Sequence, residues 1–200
     1  MPGSPPDGPV PPYDQLPAAG NGGRTAWGLW GPDESVGRLH LQAPERVASA
    51  ARLVRRGAVF ALDAALGAVD PPLTSARGVP RHRVLHEPGP GLVATDDVWD
   101  NLYPQAGSQW DSLAHIAYRP GAFYNGATDD DILSGRRNTI DHWARRGIAG
   151  RGVLLDLPRH LGVAPEDASA ADGVYDCFVT SAPLHAPGGI GSPANALAIK

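Results

Sequence analysis

The chain has 200 residues, a formal net charge of −4 and one cysteine. This length is enough for one domain that buries roughly 70% of its unfolded surface. The acidic balance argues against a nucleic-acid-binding protein, and no stretch has the length and apolarity of a membrane span or a secretory leader. A single cysteine also excludes an internal disulfide. We therefore expect a cytoplasmic protein with neither a nucleic-acid nor a membrane partner.

The first 23 residues are rich in proline and glycine and hold few large apolar side chains. Such a segment cannot bury enough surface to offset the entropy lost on ordering. We predict a disordered arm over residues 1–23 and one domain over residues 24–200. A polyproline ligand is the less favoured interpretation of the arm.

The first helix is predicted at residues 44–56. Pro44 suits the first turn, where its missing N–H costs nothing, and Gly57 stops the helix. Apolar residues recur at helical spacing between them, at Val47, Ala50, Ala51 and Val54. A buried strand is expected next, at residues 58–62.

Residues 64–104 are broken by many prolines and glycines, which predicts short strands and loops. Residues 83–86 and 91–94 are the strand candidates. His82 and His86 lie four apart, a spacing that would suit a metal pair on a helix. Because the context is extended, we expect both histidines on the surface.

The segment from Gln105 to His115 concentrates polar chemistry in eleven residues. Gln109 and Asp111 are two residues apart, so they point to the same side of an extended chain. His115 follows one short turn later, and the three side chains can converge on a single point. A metal or a polarised water is held in this way. Surface hydrogen bonding is the plainer alternative.

Aromatic residues follow this segment, at Tyr118, Phe123 and Tyr124. They can line a pocket for an aryl substrate or fill the core. Asp129–Asp131 lacks the spacing of a calcium loop, which predicts a solvated loop.

The C-terminal third predicts one helix and two strands. Asn138 is expected to cap a helix over residues 139–146. Residues 152–156 form an apolar run typical of a strand buried on both faces, and residues 174–180 predict another strand. Cys177 is expected to be a buried, inert thiol. Residues 188–191 are expected to form a turn rather than a phosphate loop.

The segment 105–115 resembles the signature of the cyclase family, the metal-dependent hydrolases that include bacterial kynurenine formamidase and isatin hydrolase. That signature reads His-x-Gly-Thr-His-x-Asp-x-x-x-His. Gly107, Asp111 and His115 match it, and Ser108 stands where threonine is usual.

Two departures fall at the metal positions, where Gln105 and Gln109 replace histidines. The form Gln-Trp-Asp-x-Leu-x-His nevertheless resembles a recognised branch of the family. Other stretches resemble that branch too, and they are residues 27–31, 44–47, 124–126, 150–156 and 182–193.

The order of the predicted elements supports a mixed α/β domain with a partly antiparallel sheet. The resemblance implies the swivelling β/β/α fold of the cyclases and a homo-oligomer. It also implies an internal shortening near residues 162–171, which would leave the fold incomplete. His160 and Glu166 lie beside this join and are not expected to replace the residues lost there.

The resemblance implies a metal-dependent hydrolase of aryl or cyclic amides, similar to arylformamidase, whose chemistry belongs to the conversion of tryptophan to kynurenine. Bound Zn²⁺ or Mn²⁺ would activate a water and polarise the carbonyl. Asp111, Gln109 and Gln105 would be the metal ligands and His115 the catalytic proton carrier. Trp110 and Tyr124 would contact the small aromatic or cyclic amide substrate.

Two alternatives stay open. Some relatives are polyketide-type cyclases, in which glutamine and histidine polarise a ketone without a tightly held metal. The chain can also be a non-catalytic remnant that pairs with other subunits. Carboxamides are poorer ligands than imidazoles for such metals, so we expect impaired activity in this copy.

Overall fold

The computed structural model describes residues 10–19, 22–155, 160–162 and 174–200. Within the predicted arm, Tyr13–Gln15 form one 3-10 turn, and residues 1–9, 20 and 21 lie outside the described residues. The expected join also lies outside them, apart from Gly162, and so does Glu166. No helix in the described ranges has the length and apolarity needed to cross a membrane.

The main sheet has four antiparallel strands in the order β1-β8-β6-β5. Strand β1 is Val59–Ala61 and β5 is Ile148–Val153. Strand β6 is Asp176–Ser181 and β8 is Ala196–Ile199. Strands are thus present where they were predicted, at residues 58–62 and 174–180, and the mixed α/β fold with antiparallel pairing is confirmed. The predicted burial of the first strand was wrong, since Val59 is 58% exposed.

Two further strand pairs complete the sheet structure. Strands β2, Arg81–Gly89, and β3, Leu92–Asp100, form a hairpin that contains both strand candidates of this region. His82 and His86 are exposed on it, as expected. The second pair joins segments that are distant in sequence: strand β4, Gln109–Asp111, runs antiparallel to β7, Gly191–Pro193.

Helix α1 spans Pro44–Ala51, so the predicted end at residue 56 was wrong by more than one turn. The backbone N–H groups of Arg56 and Ala58 both donate to the carbonyl oxygen of Lys200, at 3.1 Å each. The chain therefore leaves the helix early because it must enter the sheet beside the C-terminal strand.

Helix α2, Asp129–Leu133, replaces the predicted solvated loop. Thr128 Oγ1 accepts from the backbone N–H of Asp131 at 3.2 Å, and Asp131 Oδ2 accepts from that of Thr128 at 3.0 Å. This capping box, together with three acidic residues in the first turn, favours a helix start. The hydrogen bonds from Thr128 and then Arg136 hold the pKa of Asp131 at about 2.

Helix α3 spans Ile140–Arg146 and is preceded by Thr139 at its N-cap, so the prediction that Asn138 caps it was wrong. Asn138 has a positive φ of 64° and is fully buried. Its Nδ2 donates instead to the carbonyl oxygen of Tyr124 at 2.8 Å. Asn138 therefore ties the start of this helix to the segment after the motif.

The prediction of a strand buried on both faces at residues 152–156 was also wrong. Val153 is 55% exposed and Leu155 is 76% exposed. In the described part of the chain, β5 pairs only with β6 and so lies at the edge of the sheet. Cys177, on β6, is buried as expected, and burial raises the pKa of its thiol.

A small apolar core lies directly beneath the motif. It is formed by Ala114, Ala127 and Ile132, with Phe123 and Ile190 packed against it. Because Ala114 belongs to the motif, this core anchors the segment that carries Asp111 and His115.

Candidate active site

Strand β4 places Gln109 and Asp111 on the same side of the chain, as their spacing predicted. Gln109 Nε2 donates to Asp111 Oδ2 at 3.2 Å. Pairing with β7 sets the register, in which Asp111 lies opposite Gly191. The site is therefore built on a two-stranded ladder whose second strand comes from the C-terminal segment.

His115 reaches the same carboxylate from the turn that follows β4. Its backbone N–H donates to the carbonyl oxygen of Ser112 at 3.0 Å, which folds the chain back toward the strand. His115 Nε2 lies 3.8 Å from Asp111 Oδ2, and the two side chains are 23% and 33% exposed. The structure thus brings the imidazole and the carboxylate together in a place that solvent can reach.

Gln105 approaches this pair from the 3-10 turn Pro104–Ala106. Its side chain lies across Gly191, where an added Cβ would meet Gln105 Nε2 at 2.5 Å. Glycine at position 191, opposite Asp111, therefore leaves room for the carboxamide in its present position. The sequence indicated a turn glycine at position 191, and its role in admitting Gln105 emerges only from the long-range pairing.

Two acceptor oxygens of the cluster have no hydrogen-bond partner among the residues that the structure describes. These are Gln109 Oε1 and Asp111 Oδ1, both buried. Buried polar atoms are satisfied in the large majority of cases. Their position therefore suits a donor or a cation from outside the chain.

The ligand atoms that the cluster offers decide which of the expected metals it would suit. Among the residues that the structure describes, no group of three His, Cys, Asp or Glu side chains is arranged to hold a metal ion. Zn²⁺ prefers such nitrogen, sulfur and carboxylate donors. The carboxylate of Asp111 and the two carboxamides offer oxygen atoms, which suit Mn²⁺ better. Of the two metals expected, these donors would suit Mn²⁺ better than Zn²⁺, and metal binding at the cluster stays a prediction.

Trp110 is not brought to this cluster. As the middle residue of β4 it points to the opposite face, where its Nε1 donates to Ser181 Oγ at 2.8 Å. Its ring meets that of Trp143 edge to face, with centroids 6.2 Å apart. The same two-residue period that unites Gln109 and Asp111 turns Trp110 toward the main sheet.

A cleft of about 330 Å³ opens at Asp111 and His115. Aromatic side chains of Trp27, Tyr118 and Tyr124 line it. A second cavity of about 500 Å³ shares these three aromatic residues as lining, so the two form one continuous cleft. Tyr124 thus lines this cleft, and its contact with a substrate stays a prediction.

Sequence reasoning missed the group that fixes Tyr124. The Tyr124 hydroxyl donates to Glu34 Oε2 at 2.9 Å, and Glu34 Oε1 lies 3.1 Å from His40 Nε2. The Glu34 side chain is only 7% exposed. Burial, followed by the hydrogen bond and the charge of Glu34, raises the pKa of Tyr124 above its usual value. Glu34 stands in a Pro-Asp-Glu-Ser stretch typical of a surface turn, so no sequence signal marked it.

Asn125 holds the loop that carries Glu34. It has a positive φ of 58° and accepts from the backbone N–H of Gly28 at 2.7 Å through Oδ1. Its Nδ2 donates to the carbonyl oxygens of Gly31 and Pro32 at 2.8 and 2.9 Å. The loop of residues 28–34 is therefore pinned to the residue that follows Tyr124.

Comparisons with known proteins support the fold. No family model matches the sequence, and no curated protein matches it. Among solved structures, the chain is similar to a crystal structure described as a novel cyclase, with a TM-score of 0.77 and 20% sequence identity. The similarity covers 88% of this chain and 99% of that one. The chain therefore has a cyclase-like fold.

Proposed function

We propose that this protein is an enzyme of the cyclase family that hydrolyses an aryl or cyclic amide, in the manner of arylformamidase. The observation that carries the proposal is the convergence of His115 and Asp111 at 3.8 Å in a cleft lined by aromatic side chains. An imidazole beside a carboxylate is suited to moving protons at neutral pH. The aromatic lining suits a small flat substrate.

His115 takes a proton from the attacking water and returns it to the leaving nitrogen. Asp111 orients the imidazole, since its Oδ2 lies 3.8 Å from His115 Nε2. Trp27 and Tyr124 hold the ring of the substrate and exclude water from its faces. In this arrangement the scissile carbonyl would lie next to His115, which supports the role of His115 as the proton carrier.

A resident Mn²⁺ would be held by Asp111, Gln109 and Gln105, and when bound it would polarise the carbonyl as a Lewis acid. Two carboxamides in place of imidazoles lower the affinity for this ion. Amide turnover is therefore expected to be well below that of a relative with histidine at both positions.

Ring closure of a polyketide-type substrate is the second candidate function. It is favoured by the same two carboxamides, since their N–H groups can polarise a ketone without a metal. In this reaction His115 removes a proton next to the ketone.

Turnover assays on the purified full-length chain separate these functions. An aryl formamide, a cyclic amide and a linear diketone are incubated with and without added Mn²⁺ or Zn²⁺, for the natural chain and for His115→Gln. Amide hydrolysis that His115→Gln abolishes supports the proposal. Ring closure of the diketone alone supports the second candidate. If neither reaction occurs and light scattering shows a stable homo-oligomer, the non-catalytic pairing function stands.

A further inference from the structure

The larger part of the cleft is cationic, although the chain as a whole is acidic. Arg24, Arg38 and Arg119 line this cavity of about 500 Å³, and no acidic side chain lies among the described residues that line it. The net charge of the chain is −4. Three arginine residues therefore line one aromatic cavity in a chain whose net charge is negative.

Two of these arginines have no internal partner to explain them. Arg24 donates through Nη1 to the carbonyl oxygen of Leu16 at 3.1 Å. Arg38 and Arg119 are exposed and form no ion pair or side-chain hydrogen bond with any residue that the structure describes. Their hydrogen-bond donors are therefore free for a ligand, and guanidinium groups bind carboxylates through two parallel bonds.

The arginines reach the cavity from two separate segments. Arg38 belongs to the 3-10 helix Gly37–Leu41, directly after the glycine whose N–H binds Glu34. Arg119 lies at a tight turn closed by its pairing with Ala122. Glu34 also accepts from the hydroxyl of Tyr124, so the start of this 3-10 helix is joined to another residue of the cavity lining.

The cavity and the smaller cleft share Trp27, Leu113, Tyr118 and Tyr124 as lining. One ligand can therefore span from the arginines to His115 while its ring lies among the aromatic side chains. We propose that the substrate is an aromatic carboxylate, with its carboxylate bound by Arg38 and Arg119 and its reacting carbonyl near His115. The position of the reacting carbonyl near His115 rests on the proposed function, whereas the binding of the carboxylate by Arg38 and Arg119 does not.

Binding is tested first, without turnover. Quenching of tryptophan fluorescence reports occupancy, since Trp27 and Trp30 both line the cavity. The probes are benzoate and its uncharged analogue benzamide. Benzoate is expected to bind more tightly, and Arg38→Gln or Arg119→Gln is expected to weaken it about 10-fold without changing benzamide, as for the loss of a charge-assisted hydrogen bond. Lysine at either position should restore part of the affinity.

Arg55→Gln is the matched control, because it removes the same charge from an exposed site outside the cavity. Equal affinity for the two probes overturns the proposal. Absence of benzoate binding also overturns it. An equal loss of benzoate affinity in all three glutamine variants overturns it too, because the effect would then come from the net charge of the chain alone.

Turnover is tested second, with formanilide and 4-formamidobenzoate. The arginine variants are expected to raise KM for the carboxylated substrate about 10-fold and to leave its kcat unchanged. If benzoate binds as described and neither amide is hydrolysed, the hydrolase proposal fails and the anion site stands. If both amides are hydrolysed equally and the variants have no effect, the anion site fails and the hydrolase stands.

Discussion

The hydroxyl of Tyr124 and the buried carboxylate of Glu34 are joined by a hydrogen bond of 2.9 Å. Burial and this neighbour raise the pKa of Tyr124 in the folded state. A raised pKa means that the associated stability is fully present below the unfolded value, about 10, and is lost as the pH rises beyond it. We expect the free energy of unfolding to fall above pH 10 for this reason. Urea unfolding at several alkaline pH values measures the fall.

Tyr124→Phe serves as the comparison for this effect, because it removes the titrating group and keeps the ring. The variant is expected to show a shallower alkaline loss of stability than the natural chain. Identical pH profiles for the two proteins would contradict the linkage between Tyr124 and folding.

His115 and Asp111 are expected to affect turnover far more than stability. Both side chains are partly exposed and lie at the cleft rather than in the core. His115→Gln should lower kcat by roughly 10²- to 10⁴-fold, the usual contribution of a general acid–base group. Asp111→Asn should lower kcat less, because the imidazole stays in place and loses only the carboxylate that orients it. Loss of activity with an equally large loss of thermal stability would instead indicate a structural role.

The two glutamines predict weak metal affinity. Restoring the family residues in a Gln105→His, Gln109→His double variant is expected to raise the bound Mn²⁺ or Zn²⁺, measured by elemental analysis after dialysis. Changes near a metal alter its affinity by about 10- to 100-fold, and a gain of at least that size is expected. Gln15→His, at an exposed position remote in sequence, controls for an added imidazole. No gain over this control would mean that the cluster is not a metal site.

Part of the candidate site at residues 105–115 could be predicted from the sequence. The two-residue spacing of Gln109 and Asp111 predicted their shared side, because strand geometry is local. Their partner strand could not be predicted, since β7 lies about eighty positions away and reads as glycine-rich turn sequence. The role of Glu34 could not be predicted for a related reason. A buried carboxylate is identified by the groups that donate hydrogen bonds to it, and the donor Tyr124 is distant along the chain.

One wrong prediction, the solvated loop at residues 129–131, could have been avoided from the sequence. The Thr128-x-x-Asp131 pattern is a capping box and predicts the start of α2. The apolar run at residues 152–156 gave no such clue. An apolar strand can lie at an edge as well as in the centre of a sheet, and its place depends on neighbours that the run does not encode.

Substitutions at two glycines should distinguish an effect on turnover from an effect on stability. Gly191→Ala would push against Gln105 at the cluster, whereas Gly152→Ala would place a Cβ 2.3 Å from Val179 in the main sheet. Gly152→Ala is expected to destabilise by about 1–3 kcal/mol, as overpacking does, with kcat retained. Gly191→Ala is expected to lower kcat more than it lowers stability, because the flexible carboxamide can move aside. Chemical denaturation and turnover on the same samples distinguish the two.

The pairing of β4 with β7 has a consequence for how the protein is made. Asp111 acquires its opposite strand only from residues 191–193, and β1 likewise pairs with β8. Contacts this distant along the chain form late and slow the folding of a domain. A nascent polypeptide on the ribosome therefore carries the whole motif but no partner for strand β4 until residue 193 has emerged. The register of the strand that carries Asp111 is thus set only after synthesis has passed the last glycine-rich turn.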